Sequence, residues 1–142
     1  MRPDGSIVSA PLLDFCLRGD GAAMALPAGK AAIIEIEIAY RLARDVRPGS
    51  DREEVMAAIG EVVVGAEIVG SRLARDDCFM LFMADHLGNA GYVAGTGMPM
   101  TTAMAANPPC MVRVDGQTVF AQSGTHGAGH PLTPLLAMAA GP

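Results

Sequence analysis

The chain has 142 residues, a formal charge of −5 at pH 7 and 51% hydrophobic residues. Since one core usually needs about 100 to 200 residues, we expect residues 1–142 to form a single domain. The acidic balance lacks the basic patch on which nucleic-acid binding depends, which excludes nucleic acid as a partner. The sequence has no run of about 18 apolar residues, which excludes a membrane span.

The cysteines and the first residues of the chain indicate a compartment. Cys16, Cys78 and Cys110 lie far apart and are odd in number, so they fit neither a disulfide framework nor a CxxC metal or redox motif. The segment 1–5 breaks the pattern of a signal peptide. We therefore expect a cytoplasmic protein.

The first 30 residues are rich in turns, and we expect loops there with one or two short strands. Residues 34–43 then alternate between large apolar and polar or small side chains, a period of two that predicts a strand. On such a strand Glu35 and Glu37 emerge on the same face, about 7 Å apart.

A helix is predicted after the strand. Ser50 followed by Glu53 matches a capping box, and apolar residues recur at helical spacing up to residue 66, which predicts a helix over 51–64. A short strand is predicted over 66–69. The apolar block 79–83 is too short to distinguish a buried helix from a strand.

Two further elements complete the prediction. The apolar runs 111–114 and 118–121 flank Asp115 and Gly116, which predicts a β-hairpin. Thr133 is expected to cap a last helix that has Pro134 at its first position. These elements predict an α+β fold, in which antiparallel pairing is established for the hairpin alone.

Three glutamates are candidates for chemistry. Glu35 and Glu37 on one strand face repel each other unless solvent or a cation compensates, and hard divalent cations take carboxylate oxygens. The alternative is a solvated strand face carrying two acids. Glu67 lies among aliphatic residues, where it requires a cation, an ion pair with Arg72, or exposure at a sheet edge.

Two histidines are a weaker candidate. His126 and His130 have the i, i+4 spacing of a helical zinc pair, but Gly127 and Gly129 disfavour a helix there. The other interpretation is a pair of loop histidines.

Three segments together resemble the 2-keto-4-pentenoate hydratase family of the fumarylacetoacetate hydrolase superfamily, which includes 4-oxalocrotonate decarboxylases and oxo-heptenedioate hydratases. They are IEIEIA at 34–39, AEIVGSR at 66–72 and GHPL at 129–132. Their order, the helix between the first two and the hairpin before the third make the similarity specific.

The resemblance implies a mixed, mostly antiparallel β-sheet or roll with a few flanking helices. It implies an Mg or Mn ion bound by Glu35, Glu37 and Glu67, which match the ligand positions of the family. It also implies a small 2-oxo acid substrate, such as a 2-oxo-enoate or 2-hydroxy-dienoate, that is hydrated during the catabolism of aromatic compounds. Asp4 falls where the family has an acid–base aspartate, and a homo-oligomer is expected.

The chain departs from the family pattern in two places. Lys30 is the only lysine, and it lies on the wrong side of Asp4 to match the lysine of the family. Of a family segment that resembles Ala-Asp-Asn-Ala-Ser, Asn89 and Ala90 are retained. The expectation is therefore a partial, truncated hydratase-like catalytic domain.

The alternatives are a related decarboxylase, a metal-binding but catalytically incomplete remnant or fragment, and an oligomerising protein whose acids are surface charge.

Overall fold

The structure is a computed structural model that describes residues 7–25, 33–73, 78–100, 108–124 and 126–141. Its helices and strands follow one another along the chain as β1 (Leu17–Arg18), β2 (Ile33–Leu42), α1 (Arg52–Ala58), β3 (Ile59–Val69), α2 (Phe79–Ala84), β4 (Asn89–Ala94), β5 (Met98–Pro99), β6 (Pro109–Val114), β7 (Gln117–Ser123) and α3 (Thr133–Ala140). Short 3-10 turns precede β1 and β4. None of the helices in the described parts is long and apolar enough to cross a membrane.

The chain divides into two compact units. The sheet unit comprises Ser9–Leu42 and Gly60–Pro99, and the hairpin unit comprises Met1–Val8, Ala43–Ile59 and Met100–Pro142. That residues 1–142 act as one catalytic domain stays a prediction.

The sheet unit is built around β3, a long and largely buried strand. Its strand order is β1-β4-β3-β2, and β5 also pairs with β3. β4 runs antiparallel to β3 and parallel to β1, so the sheet is mixed. The buried apolar side chains among the described residues of this unit are Cys16, Val62, Val63, Ile68 and Tyr92.

The hairpin unit combines α1 and α3 with the pair β6-β7. Val55 of α1 and Leu132 before α3 are the largest fully buried side chains in the described part of this unit. Asp115 and Gly116 both have positive φ, 49° and 77°, which matches the twist of the two antiparallel strands that they join. The predicted hairpin is confirmed.

The predicted strand over 34–43 is confirmed as β2, Ile33–Leu42. The predicted helix over 51–64 is wrong in its second half, because the helix ends at Ala58 and β3 begins at Ile59. The β-branched run Val62-Val63-Val64 favours a pleated strand that neighbours can cover, and β3 has paired strands along it. Tertiary pairing therefore overrides the helical spacing of the apolar residues.

Both capping predictions are wrong by one residue, in opposite directions. Asp51, not Ser50, caps α1: its carboxylate accepts the backbone N–H of Glu54 at 2.9 Å, and Glu54 accepts the backbone N–H of Asp51 at 3.0 Å. At α3 the N-cap residue is Leu132, so Thr133 is the first helical residue. The ambiguous block 79–83 is helical, within α2.

Candidate metal centre

The three glutamates predicted as ligands lie together in the sheet unit. Glu35 and Glu37 come from β2 and Glu67 from β3, and each offers a carboxylate oxygen within 4.8 Å of the others. Glu35 is exposed, whereas Glu37 and Glu67 are partly buried. Among the described residues this is the group of side chains with the composition and spacing to bind a metal ion.

Strand alternation accounts for this convergence. Side chains two residues apart share a face, so Glu35 and Glu37 point to the same side of β2 as Arg41. Arg41 forms an ion pair with Glu61 at the other end of β3. The strands β2 and β3 therefore run in opposite directions. With Arg41 beside Glu61 at one end of the pair, Glu67 lies opposite the glutamates of β2 at the other end.

The pKa of Glu37 is shifted by its burial and by the other two glutamates of the cluster. Burial is the main reason that the pKa of Glu37 lies above its usual value of 4.5, and the neighbouring Glu67 and Glu35 raise it further. A hydrogen bond from the Tyr92 hydroxyl opposes this shift. Burial together with the charges of Glu37 and Glu67 raises the pKa of Tyr92 to about 12, so Tyr92 is a neutral donor at pH 7.

A second neutral donor reaches Glu67. The side-chain amide of Asn89, a buried residue, donates to Oε1 of Glu67 at 2.7 Å. The register shifts here, because Ile68 pairs with Gly91 while Val69 pairs with Asn89. The extra residue, Ala90, forms a bulge that turns Asn89 to the face that carries Glu67.

Tyr92 reaches the cluster because Gly65 leaves room for it. Tyr92 is the cross-strand partner of Glu67, so both side chains lie on one face of the sheet. A Cβ placed on Gly65 would overlap the Tyr92 ring and hydroxyl. Glycine at this position therefore lets the phenol lie flat over β3 beside the glutamates.

Arg72 does not pair with Glu67, which removes one of the alternatives for that residue. Its Nε donates to the carboxylate of buried Asp85 at 2.7 Å, and its Nη1 donates to the carbonyl oxygen of Asn89 at 2.7 Å. Edge exposure is excluded as well, because β3 lies between β4 and β2.

Asp85 is the buried anion that fixes Arg72. Burial alone would raise the pKa of Asp85, but the backbone N–H and guanidinium of Arg72 and the Ser71 hydroxyl lower it below its usual value. The Ser71 hydroxyl donates to Asp85 at 3.1 Å. Sequence reasoning missed this network and the role of Tyr92, because both depend on the register between β3 and β4.

The remaining candidate residues are Asp4 and the two histidines. Asp4 is outside the described residues. Nδ1 of His126 accepts the backbone N–H of Ala128, and Nδ1 of His130 accepts that of Leu132, both at 3.1 Å. Residues 126–130 form turns and bends and not a helix, which agrees with the interpretation as loop histidines.

No protein-family model matches the chain, and the comparison with curated proteins finds no match. Solved structures do match. Two are 4-oxalocrotonate decarboxylase from Pseudomonas putida G7, complexed with magnesium and adipate (TM-score 0.68, 22% identity, 89% of this chain and 49% of that chain) and with calcium and acetate (0.70, 21%, 96% and 54%). A third is fumarylpyruvate hydrolase from Pseudomonas aeruginosa in complex with Mn2+ and pyruvate (0.54, 15%, 86% and 56%).

These matches define the class of fold. The chain shares the fold of these enzyme structures, and its mixed sheet with a few helices agrees with the predicted α+β class. It spans about half the length of the enzymes that it matches.

Proposed function

We propose that the chain carries the divalent-cation site of an enzyme that acts on 2-oxo-enoate or 2-hydroxy-dienoate acids, with Glu35, Glu37 and Glu67 as the metal ligands. The observation that carries this proposal is the convergence of three carboxylate oxygens within 4.8 Å of one another.

The donor set fits a hard cation. Carboxylate oxygens are the ligands that Mg2+, Mn2+ and Ca2+ favour. The described contacts of Glu37 and Glu67 come from Tyr92 and Asn89, which carry no positive charge. Arg41 lies on the same face and forms an ion pair with Glu61. Glu61 is six residues from Glu67 along β3, so this ion pair is about 20 Å from Glu67.

The structural neighbours support both the cation and the substrate class. Their structures contain magnesium, calcium or manganese together with adipate, acetate or pyruvate. Each of these organic molecules carries a carboxylate, and pyruvate is a 2-oxo acid. The Mg or Mn cofactor expected from the sequence agrees with these ions.

The cation would act as a Lewis acid that polarises the 2-oxo group of the substrate and stabilises negative charge on its oxygen. The residues of the chain have the complementary tasks. Glu35, Glu37 and Glu67 supply the anionic ligands, while Tyr92 and Asn89 donate to two of these carboxylates. Asp4 is proposed to move a proton along the conjugated substrate, as the family resemblance implies.

Hydration, in which water adds to the conjugated acid, is the reaction that we propose. Decarboxylation is the second candidate, and it is favoured by the TM-scores of 0.68 and 0.70 with two structures of a decarboxylase. Released carbon dioxide would identify the second reaction, whereas a hydroxylated product that retains every carbon would identify the first.

A homo-oligomer is part of the proposal. Large apolar side chains remain exposed on β2, where Ile34 and Ile36 are 58% and 42% accessible. Val119 of the hairpin is 60% accessible. Such surfaces are commonly covered by another chain.

Calorimetric titration of the 142-residue chain with Mn2+ tests the metal site, and loss of dienoate ultraviolet absorbance in Mg2+ or Mn2+ tests turnover. We expect binding by the wild-type chain, none by Glu37→Gln, and unchanged binding by Glu61→Gln, a matched control on the same face. Absence of wild-type binding would refute the metal site. Binding without turnover would favour the catalytically incomplete alternative.

A further inference from the structure

We propose that Asn89 and Tyr92, both on β4, are positioning residues that fix the carboxylates of Glu67 and Glu37 in the orientation in which a cation binds. This inference rests on the proposed function and adds to it a specific role for β4, a strand that carries none of the three glutamates.

Asn89 is built to hold one orientation of Glu67. It is 3% exposed, and its Nδ2 donates to Oε1 of Glu67 at 2.7 Å. A carboxylate with one oxygen engaged by an amide keeps its second oxygen available for a cation. The carboxylate cannot rotate freely without breaking this bond.

The backbone of Asn89 is held by a hydrogen bond from Arg72. Arg72 donates from Nη1 to the carbonyl oxygen of Asn89 and from Nε to Asp85, each at 2.7 Å. Arg72 Nη2 also donates to the carbonyl oxygen of Asp85 at 3.0 Å. These bonds fix the backbone at the bulge, so the amide of Asn89 presents its N–H to Glu67 from a rigid frame.

Tyr92 supplies the equivalent contact to Glu37. It is 5% exposed and lies over Gly65, where any side chain at position 65 would displace it. Its hydroxyl donates to the Glu37 carboxylate. The phenol is thus placed by the register Glu67–Tyr92 and by the absence of a Cβ at Gly65.

The neutrality of both donors matters for this role. A lysine or arginine in either place would orient a carboxylate but also cancel its charge and compete with the cation. An amide and a hydroxyl orient the ligands and leave their negative charge for the metal. Partners of this kind around metal ligands typically contribute about 10- to 100-fold in metal affinity.

The test compares Mn2+ affinity in Tyr92→Phe and Asn89→Leu with that of the wild-type chain. Tyr40→Phe is the matched control, because Tyr40 lies on the opposite face of β2 and its buried hydroxyl has no hydrogen-bond partner in the described part of the chain. We expect dissociation constants about 10- to 100-fold higher for the two β4 variants and unchanged for the control. The EPR spectrum of bound Mn2+ at saturation reports the geometry of the ligands. This spectrum should change in Tyr92→Phe and stay the same in Tyr40→Phe.

The melting temperature without metal separates positioning from folding. Tyr92→Phe keeps the ring over Gly65, so its metal-free melting temperature should stay close to that of the wild type. Wild-type affinity and EPR spectrum in Tyr92→Phe, or wild-type affinity in a folded Asn89→Leu, would overturn the inference while leaving the metal site standing. An affinity loss in Tyr40→Phe equal to that in Tyr92→Phe would also overturn it. Failure of the wild-type chain to bind Mn2+ would instead refute the proposed function.

Discussion

The glutamate cluster should destabilise the metal-free protein, so removing its central charge should stabilise the chain while abolishing metal binding. Glu37→Gln is the informative change, because the amide keeps the shape of the side chain. Its oxygen can still accept from Tyr92, and its NH2 group can donate to Glu67. The substitution therefore removes charge with little loss of packing.

The magnitude follows from the spacing of the carboxylates. Two unit charges at 4.8 Å, the upper limit of the oxygen separations in the cluster, repel by about 0.9 kcal/mol in water and by about 3.5 kcal/mol at an effective dielectric constant of about 20. Glu37 is partly buried between the partly buried Glu67 and the exposed Glu35, so solvent screens a large share of the repulsion. We therefore expect Glu37→Gln to increase the free energy of unfolding by about 1–3 kcal/mol at pH 7 without metal.

Urea unfolding with and without Mn2+ measures both effects. A cation at 100 times its dissociation constant should stabilise the wild-type chain by about 2.7 kcal/mol and the variant by nothing. Glu61→Gln, which removes a glutamate of an exposed ion pair with Arg41, should change stability by less than about 1 kcal/mol. A metal-free Glu37→Gln chain less stable than the wild type would refute the electrostatic reasoning, and equal stabilisation of both by Mn2+ would refute the ligand role.

Three further predictions follow. The folded-state pKa of Glu37 is raised above 4.5, so its protonated form favours folding. The stability advantage of Glu37→Gln should be near zero below pH 4.5 and grow as the pH rises through the folded-state pKa. A stability difference that is independent of pH in unfolding titrations would contradict this. Gly65→Ala should cost about 1–3 kcal/mol in urea unfolding and weaken Mn2+ binding, because the new Cβ meets Tyr92; wild-type stability and affinity would show that the phenol has room to move. Asp51→Ala should cost about 1 kcal/mol in thermal unfolding and Ser50→Ala almost nothing; the reverse order would restore the cap position inferred from sequence.

Local patterns were sufficient to predict several parts of the molecule. Alternation along 34–43 placed Glu35 and Glu37 on one face of a strand, because the side-chain period of a strand follows from backbone geometry alone. Asp115-Gly116 between two apolar runs predicted the hairpin for a similar reason, since the turn requires positive φ at both positions. The α+β class follows from these elements, and the three short segments that resemble the hydratase family pointed to the fold.

Only the tertiary structure decided how these pieces meet. The apolar residues after Ala58 are spaced for a helix, yet they form β3 because neighbouring strands are present to pair with them. Arg72 is close to Glu67 in sequence but turns to Asp85, a partner 13 residues away. No short-range pattern encodes such a choice.

The sequence by itself therefore determined which side chains share a strand face and which residues could hold a cation. The tertiary structure decided which strands are neighbours, and through the bulge at Ala90 it set the register that brings Asn89 and Tyr92 to the glutamates. The physical reason is that side-chain direction is a local property of the backbone. Strand order and register depend instead on pairings between segments far apart in the chain, which are selected by the burial and hydrogen bonding of the whole sheet.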